Sequence, residues 1–185
     1  MRSPKFPILN GSLLIIILLQ FGCMMPASNV AVSPSANFSL LKSFAVWKFR
    51  DGGQVSNSGD IATRAIESAL MMKGFRIIPI SKIRDILSLE IGYKEGMALE
   101  AGMLTHEILK KIRTETGVDG IILGSVSDAW CNPMWAPSCW IECSFQIIDT
   151  DSGELIVSAN ISDDGWSLQS AAQQMAEKMV KKIKR

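Results

Sequence analysis

Apolar and polar positions along the chain follow a pattern that predicts alternating strands and helices. Residues 42–49 are apolar on both faces, which is typical of a strand covered on both sides. An amphipathic helix over about residues 59–73 follows, with apolar residues three and four positions apart and Gly74 just past its end. Residues 75–80 predict a second strand, after which Ser81 is expected to cap a short helix.

The second half of the chain predicts one long helix, three strands and a last helix. Apolar residues at spacings of three and four indicate a helix over residues 95–116, and a buried strand follows from Gly117. Two more strands, residues 139–150 and 154–162, flank a compact hairpin signal of Asp, Ser and Gly. Ser167 begins the final amphipathic helix.

This order of elements predicts an α/β fold with a single mixed β-sheet and helices packed on it. Helical crossovers make the first three strands parallel, and short links make the last three strands an antiparallel meander. Residues 23–41 are rich in Ser, Ala, Pro and Asn and carry no charge, so they are expected to be a flexible tether. Residues 42–185 are expected to form a single domain.

The N-terminus resembles the signal sequence of a bacterial lipoprotein. Arg2 and Lys5 precede a short apolar run, and Gly22 stands directly before Cys23. The pattern predicts that the signal peptide, residues 1–22, is removed and that Cys23 becomes an acylated first residue. Several acyl chains hold a protein at a membrane without any transmembrane helix.

An uncleaved membrane anchor is the alternative for this N-terminus. Residues 8–25 are close to the shortest apolar length that spans a bilayer, although Asn10, Gly11 and Gln20 weaken that interpretation. If Cys23 is acylated, Met24 in the next position favours sorting to the outer membrane, as in the lipoproteins that the signal resembles.

Charge and motif content point away from nucleic-acid binding and from catalysis. The chain carries 19 basic and 18 acidic residues, a balance without the positive charge that nucleic-acid binding requires. The only histidine, His106, is expected to face water, and no second histidine follows at the spacing of a zinc helix. The loop at Gly52 and Gly53 lacks the lysine and serine or threonine of a phosphate cradle. We therefore expect no catalytic residue, metal or cofactor.

Residues 129–140 hold three of the five tryptophans and two of the four cysteines. Outside the cytosol, Cys131 and Cys139 are most simply a disulfide that closes a short loop. A bond between Cys131 and Cys143 is the alternative. Cys143 shares a strand face with Cys139 but lies too far along the strand to bond with it, so we expect Cys143 to lie in the core.

The same loop is a candidate surface for binding a protein partner. Met134, Trp135 and Trp140 are of the types that contribute most of the energy at protein interfaces. The alternative is that the tryptophans fold back over the end of the sheet as a lid.

Several segments, taken in order, resemble a known group of bacterial lipoproteins. These segments are "FAVWKFRD", "SGDIA", "GFRIIPISKIRDILSLE", "ETGVDGIILGSVSD" and "IIDTDSGELIVSA". The chain is similar in them to the CsgG and LpoB group, whose fold is like the TolB N-terminal domain, and to lipoproteins of the GNA1162 type. The resemblance covers residues 44–162.

This resemblance implies a cell-envelope accessory lipoprotein without an active site. Such a protein would be anchored in the outer membrane, face the periplasm and bind an envelope protein as its partner. One alternative is a self-assembling subunit of a secretion or envelope ring, which makes a homo-oligomer the partner. A further alternative is a hydrolase of cell-wall material that uses two facing carboxylates.

Overall fold

A computed structural model describes residues 28–132 and 138–183 of the chain. The elements in this part are, in order, β1 (Ser28–Val32), β2 (Ser43–Val46), α1 (Ser58–Met72), β3 (Arg76–Ile77), α2 (Ile80–Ile91), α3 (His106–Thr116), β4 (Gly120–Asn132), β5 (Ser138–Asp149), β6 (Leu155–Gly165) and α4 (Leu168–Ile183). Short 3-10 turns occur at Phe38–Leu40 and Ala101–Met103.

The strands form one mixed sheet in the order β1-β6-β5-β4-β2-β3. Strand β2 is parallel to both β3 and β4, while β4, β5 and β6 are antiparallel neighbours. A tight turn joins β5 to β6, in which Gly153 has a φ of 74° and Asp149 accepts a hydrogen bond from the amide of Asp151. The predicted fold class, parallel in its first half and a meander in its second, is confirmed.

Helices cover the two faces of the sheet unequally. Helices α1 and α4 lie on one face and bury the inward residues of β4, β5 and β6, among them Val126, Cys143 and Ile161. Helices α2 and α3 lie on the other face, where the sheet residues in their core are Ala45, Trp47, Ile121, Leu123 and Ile148. The second core therefore covers β2 and one end of β4 and β5 only.

The expectation of a flexible tether over residues 23–41 is wrong for the described part of that segment. Residues 28–32 form β1, which pairs with β6 from Ser28 opposite Ile161 to Val32 opposite Val157. The amide of Ser33 continues the pairing by donating to the carbonyl of Ile156. Without β1, this edge of β6 would present unpaired backbone groups, so the pairing stabilises an otherwise exposed edge.

The long helix expected over residues 95–116 is also wrong, because α3 begins only at His106. Gly96 has a φ of 91°, which is incompatible with an α-helix. Thr105 caps α3 by accepting a hydrogen bond from the amide of Ile108. Leu104 lies outside the helix but is buried in the core, and its apolar side chain therefore continued the helical spacing upstream of α3.

Three smaller differences concern where elements begin and end. Helix α2 begins at Ile80 with Pro79 in the capping position, so Ser81 is not its cap. Strand β3 is only two residues long, and its pairing with β2 ends at the bond from the Ile78 amide to the Phe44 carbonyl, because α2 begins at Ile80. Strand β6 continues beyond the end expected at residue 162, so that Asp163 and Asp164 lie within it.

The glycine loop after β2 is shaped for close backbone contact with β4. A Cβ atom on Gly52 would lie 1.9 Å from the carbonyl oxygen of Val126, and the amide of Gln54 donates to the carbonyl of Ala129. Asp51 accepts a hydrogen bond from the amide of Gly59 in the first turn of α1. The glycines of this loop thus contact β4, and the first turn of α1 donates a hydrogen bond to Asp51 of the same loop.

Candidate functional site

A strip of small polar side chains lies on the sheet face that α2 and α3 leave open. It consists of Ser125, Ser127, Ser144, Gln146, Ser158 and Asn160, and we call it the polar strip. Ser144 stands opposite Ser125 on β4 and opposite Asn160 on β6, and the hydroxyls of Ser127 and Ser144 are 2.8 Å apart. The strip forms because β5 and β6 alternate, with every second residue turned into the core under α1 and α4.

A groove of about 790 Å³ separates the polar strip from residues 93–102. The rings of Trp47 and Tyr93 pack edge to face with centroids 5.2 Å apart, and the Tyr93 hydroxyl donates to the carbonyl of Met97 at 2.9 Å. An ion pair of 2.8 Å between Arg84 Nη1 and Glu95 Oε1 holds the same segment against α2. These contacts hold one wall of the groove in place, although the wall contains neither an α-helix nor a strand.

The cationic side chains of the groove enter from the side of β2 and α2. Lys48, Arg50 and Arg84 are among its lining residues. Lys48 is paired with Asp60 on α1 at 3.0 Å, and Arg84 with Glu95. Two of the three cations are thus neutralised by acidic neighbours, and the rest of the lining is mostly small or uncharged. This composition suits the binding of a polar, uncharged surface better than the binding of an anion.

Among the described residues, three tryptophans lie at the end of the sheet where β4 meets β5 and where β6 ends. Trp130 and Trp140 stand directly opposite each other on the open face, and both are half-buried. Trp166 directly follows β6 and is 76% exposed. Gly165 lies beside Cys139, so the three residues share one end of the sheet. We call Trp130, Trp140 and Trp166 the tryptophan end.

The strands of the meander carry negative charge only. No lysine or arginine occurs between Arg113 and Lys178. On the open face Asp128 stands opposite Glu142, and Asp164 stands opposite Trp140. This region therefore presents an acidic and aromatic surface.

The hydrolase alternative requires two facing carboxylates, and Asp128 and Glu142 are such a pair because they are cross-strand neighbours. Neither residue lines the groove. A glycosidase must hold a sugar chain between its two carboxyl groups. The groove therefore does not bring a substrate to this pair.

Two groups whose pKa is raised by burial, Cys143 and Glu67, do not line the groove. Burial raises the pKa of the Cys143 thiol to about 12, with a smaller contribution from the negative charge of Glu142. Burial also raises the pKa of Glu67 on α1, although the nearby Arg64 opposes the change. Cys143 points into the core under α1 and α4. A thiol with so high a pKa is protonated at neutral pH and is a poor nucleophile.

Neither a metal site nor a membrane-spanning helix occurs in the described residues. Across 28–132 and 138–183, no three His, Cys, Asp or Glu side chains are close enough to share a metal ion. No helix in these ranges is both long and apolar enough to cross a bilayer.

The sequence-predicted site residues fall partly within the described structure. Cys131 and Cys139 are bonded to each other, and Cys143 is a buried free thiol. Trp140 lies on the open sheet face beside Trp130, and His106 is exposed at the start of α3. Cys23, Met134 and Trp135 lie outside the described residues.

Two features of the site were not predicted from the sequence. One is the polar strip, whose signal is the run of small polar residues at every second position of β5 and β6. The other is Trp166, which follows β6 and joins the tryptophan end. The absence of cations from residues 114–177 was visible in the sequence as well.

Comparison with known proteins gives a likeness in fold. No protein-family model matches the chain, and no curated protein sequence matches it. The PelC dodecamer from Paraburkholderia phytofirmans is similar with a TM-score of 0.58 and 16% identity, over 86% of this chain and 97% of that one. At this identity the likeness shows the fold alone.

Two proteins named by the sequence resemblance are also among the similar solved structures. Lipoprotein GNA1162 from Neisseria meningitidis has a TM-score of 0.48 and 14% identity, covering 77% of this chain and 97% of that one. The LpoB C-terminal domain from Escherichia coli has a TM-score of 0.43 and 18% identity, covering 65% of this chain and 81% of that one. Neither likeness is close enough to argue from, and none of these three structures is a CsgG or TolB protein.

Proposed function

We propose that this protein is a lipid-anchored accessory protein of the bacterial envelope that binds a protein partner and catalyses no reaction. The signal peptide is residues 1–22, and acyl groups on Cys23 hold the domain at the outer membrane, facing the periplasm. The observation that carries the proposal is the polar strip beside its groove, a large uncovered sheet face in a fold whose other face is closed by two helices. Interfaces that form and dissociate are about as polar as the rest of a protein surface.

Photo-crosslinking in the native host tests whether the polar strip is the binding surface. A photoreactive amino acid is placed at Ser144 or Ser158 in the strip, and at the exposed Gln174 on α4 as the control. The proposal expects one adduct of the same size from both strip positions and none from Gln174. Adducts that form only from Gln174, or equally from all three positions, would contradict it.

Lipid anchoring is tested separately by labelling cells with a fatty acid analogue. The parent is expected to carry the label and to sediment with membranes, whereas Cys23→Ser is expected to lose both properties. Cys143→Ala serves as the matched control, because it also removes one cysteine but should keep the label. An unlabelled parent would contradict acylation at Cys23.

Self-assembly into a ring is the second candidate, and one observation favours it. Strand β1 is an edge strand of five residues without charge or proline, and in the described residues its outer edge pairs with no strand. Natural edge strands usually carry a charged residue or a proline that prevents pairing with another chain. The similar PelC structure is described as a dodecamer. Light scattering on the detergent-solubilised full protein decides between the two, since a ring contains many copies and the adaptor one.

A further inference from the structure

We infer that the tryptophan end rests on the surface of the lipid bilayer that holds the acylated Cys23. The inference rests on the lipid anchoring proposed above and adds a lipid surface as the partner of Trp130, Trp140 and Trp166. Three observations carry it, namely the direction in which the chain enters β1, the length of chain before β1, and the side chains at that end.

The chain enters β1 from the tryptophan end. Strand β1 is antiparallel to β6, with Ser28 opposite Ile161 and Val32 opposite Val157. Strand β6 runs the other way, from Leu155 to Gly165, and its last residue stands beside Cys139. The N-terminal end of β1 therefore points toward the disulfide and the tryptophans.

The chain between the anchor and β1 is too short to hold the domain away from the membrane. Cys23 lies five positions before Ser28, and five residues span at most about 18 Å when fully extended. The distance along β6 from the level of Ser28 to Gly165 is about 13 Å. A straight path thus brings the anchor only about 5 Å beyond the end of β6. Any bent path brings it closer to the domain.

The side chains at this end suit the interface between lipid and water. Tryptophan is enriched at that level of a membrane, because its ring is apolar and its indole N–H can still donate to a polar group. Trp166 is 76% exposed, a large apolar surface that water contact does not favour. Trp130 and Trp140 form a half-buried cross-strand pair, and the next pair along the two strands is the disulfide-bonded Cys131 and Cys139.

The negative charge of the tryptophan end distinguishes the inferred contact from electrostatic binding to anionic lipids. The meander contains no cation, and Asp164 is exposed in the same row as Trp130 and Trp140. Attraction to anionic lipids requires clustered lysines and arginines. The contact is therefore expected on neutral lipids and should not strengthen with anionic ones. In this orientation only the tryptophan end of the sheet contacts the bilayer. The polar strip lies on a face of the sheet and stays open to a partner.

Fluorescence quenching by brominated lipids tests the contact in the full acylated protein. The protein is reconstituted into phosphatidylcholine vesicles whose acyl chains carry bromine near the carbonyl end, and into unbrominated ones. We expect tryptophan emission to fall in the brominated vesicles and Trp166→Phe to remove part of the quenched signal. Three results would overturn the inference. They are no quenching in the parent, as much quenching in Trp166→Phe as in the parent, and quenching only when phosphatidylglycerol is added.

Two controls make the outcome specific. Trp47 is buried against Tyr93 away from the tryptophan end, so Trp47→Phe should leave the quenched signal unchanged, and a thermal melt verifies its folding. Insertion of roughly 20 Gly and Ser residues between Ala27 and Ser28 adds about 25 Å of mean reach. Quenching should then fall by at least about half, and undiminished quenching would overturn the argument from chain length.

The failure of this inference is distinguishable from the failure of lipid anchoring. A parent protein that stays with the vesicles but is not quenched is anchored in the proposed way and contradicts only the membrane contact. A parent that does not stay with the vesicles contradicts the anchoring itself, and with it the inference.

Discussion

The ammonium group of Lys178 on α4 lies 2.8 Å from a carboxylate oxygen of Asp163 on β6. Asp163 is 3% exposed, while the Lys178 side chain is 41% exposed. The contact is an ion pair without the alignment of a hydrogen bond. It joins the last helix to the meander, and Lys178 is the first cation after Arg113 in the sequence.

Lys178→Met is expected to lower the free energy of unfolding by about 1–3 kcal/mol. The substitution leaves the buried carboxylate of Asp163 without its counter-charge, and the partial exposure of Lys178 keeps the loss below that of a fully buried pair. Urea denaturation at neutral pH measures the change. The exposed Lys181→Met on the same helix is the control and should change stability by less than about 0.5 kcal/mol. Equal losses in both variants would contradict the role of the ion pair.

Asp119→Ala is expected to destabilise the fold by about 2–3 kcal/mol. One carboxylate oxygen of Asp119 accepts hydrogen bonds from the amides of Lys42 and Ser43 and from the Ser43 hydroxyl, at 2.8 to 2.9 Å. These bonds join the starts of β2 and β4, so their loss should appear as a lower melting temperature. Asp85→Ala on the exposed side of α2 should cause no such loss, and a similar drop there would count against the hydrogen bonds as the cause.

Gly52→Ala is expected to cost at least about 2 kcal/mol of stability, because the loop after β2 would have to move away from β4. The added Cβ would lie 1.9 Å from the carbonyl oxygen of Val126. Gly102→Ala is the matched control, since no atom lies within 4 Å of its Cβ position. Thermal unfolding of both variants measures the difference. An unchanged melting temperature in Gly52→Ala would show that the close contact does not determine stability.

Cys143 is expected to make the stability of the protein fall with rising pH above about pH 9. The pKa of this thiol is about 12 in the folded protein, against 9.0 for the free side chain. Between these values the unfolded chain loses the thiol proton and the folded chain keeps it, so each pH unit favours unfolding by about 1.4 kcal/mol.

Urea denaturation at about pH 8 and about pH 10 measures this dependence. Cys143→Ala should be the less pH-sensitive protein, although the lost side chain lowers its stability at both values. The prediction fails if both proteins lose the same stability between the two pH values. As a second measurement, Cys143 should resist alkylation in the folded protein and react after denaturation, because the folded thiol is protonated and buried.

Much of the fold was predictable because its elements carry their own periodic patterns. Helix α1, the parallel β2 and β4, and the hairpin between β5 and β6 were predicted from local apolar spacing, a glycine after the helix and a compact turn signal. Their topology followed, since a helical crossover requires parallel strands and a short link requires antiparallel ones.

The errors fall where local sequence allows two conformations. Residues 28–32 carry a weak pattern and form β1 only because β6 offers a free edge. Residues 95–105 continue the apolar spacing of α3, yet Gly96 and the capping Thr105 exclude them from the helix. For the site, Cys143 was correctly expected in the core, but neither the polar strip nor the place of Trp166 was anticipated.

The sequence by itself determined which residues of the meander turn inward, because alternation with a period of two is a local property of a strand. Only the tertiary structure decided that α2 and α3 stop short of β6, that the polar strip stays open, and that β1 enters from the side of Trp130 and Trp140. These relationships join residues distant along the chain, and they depend on strand pairing and helix packing, for which no single segment carries the information.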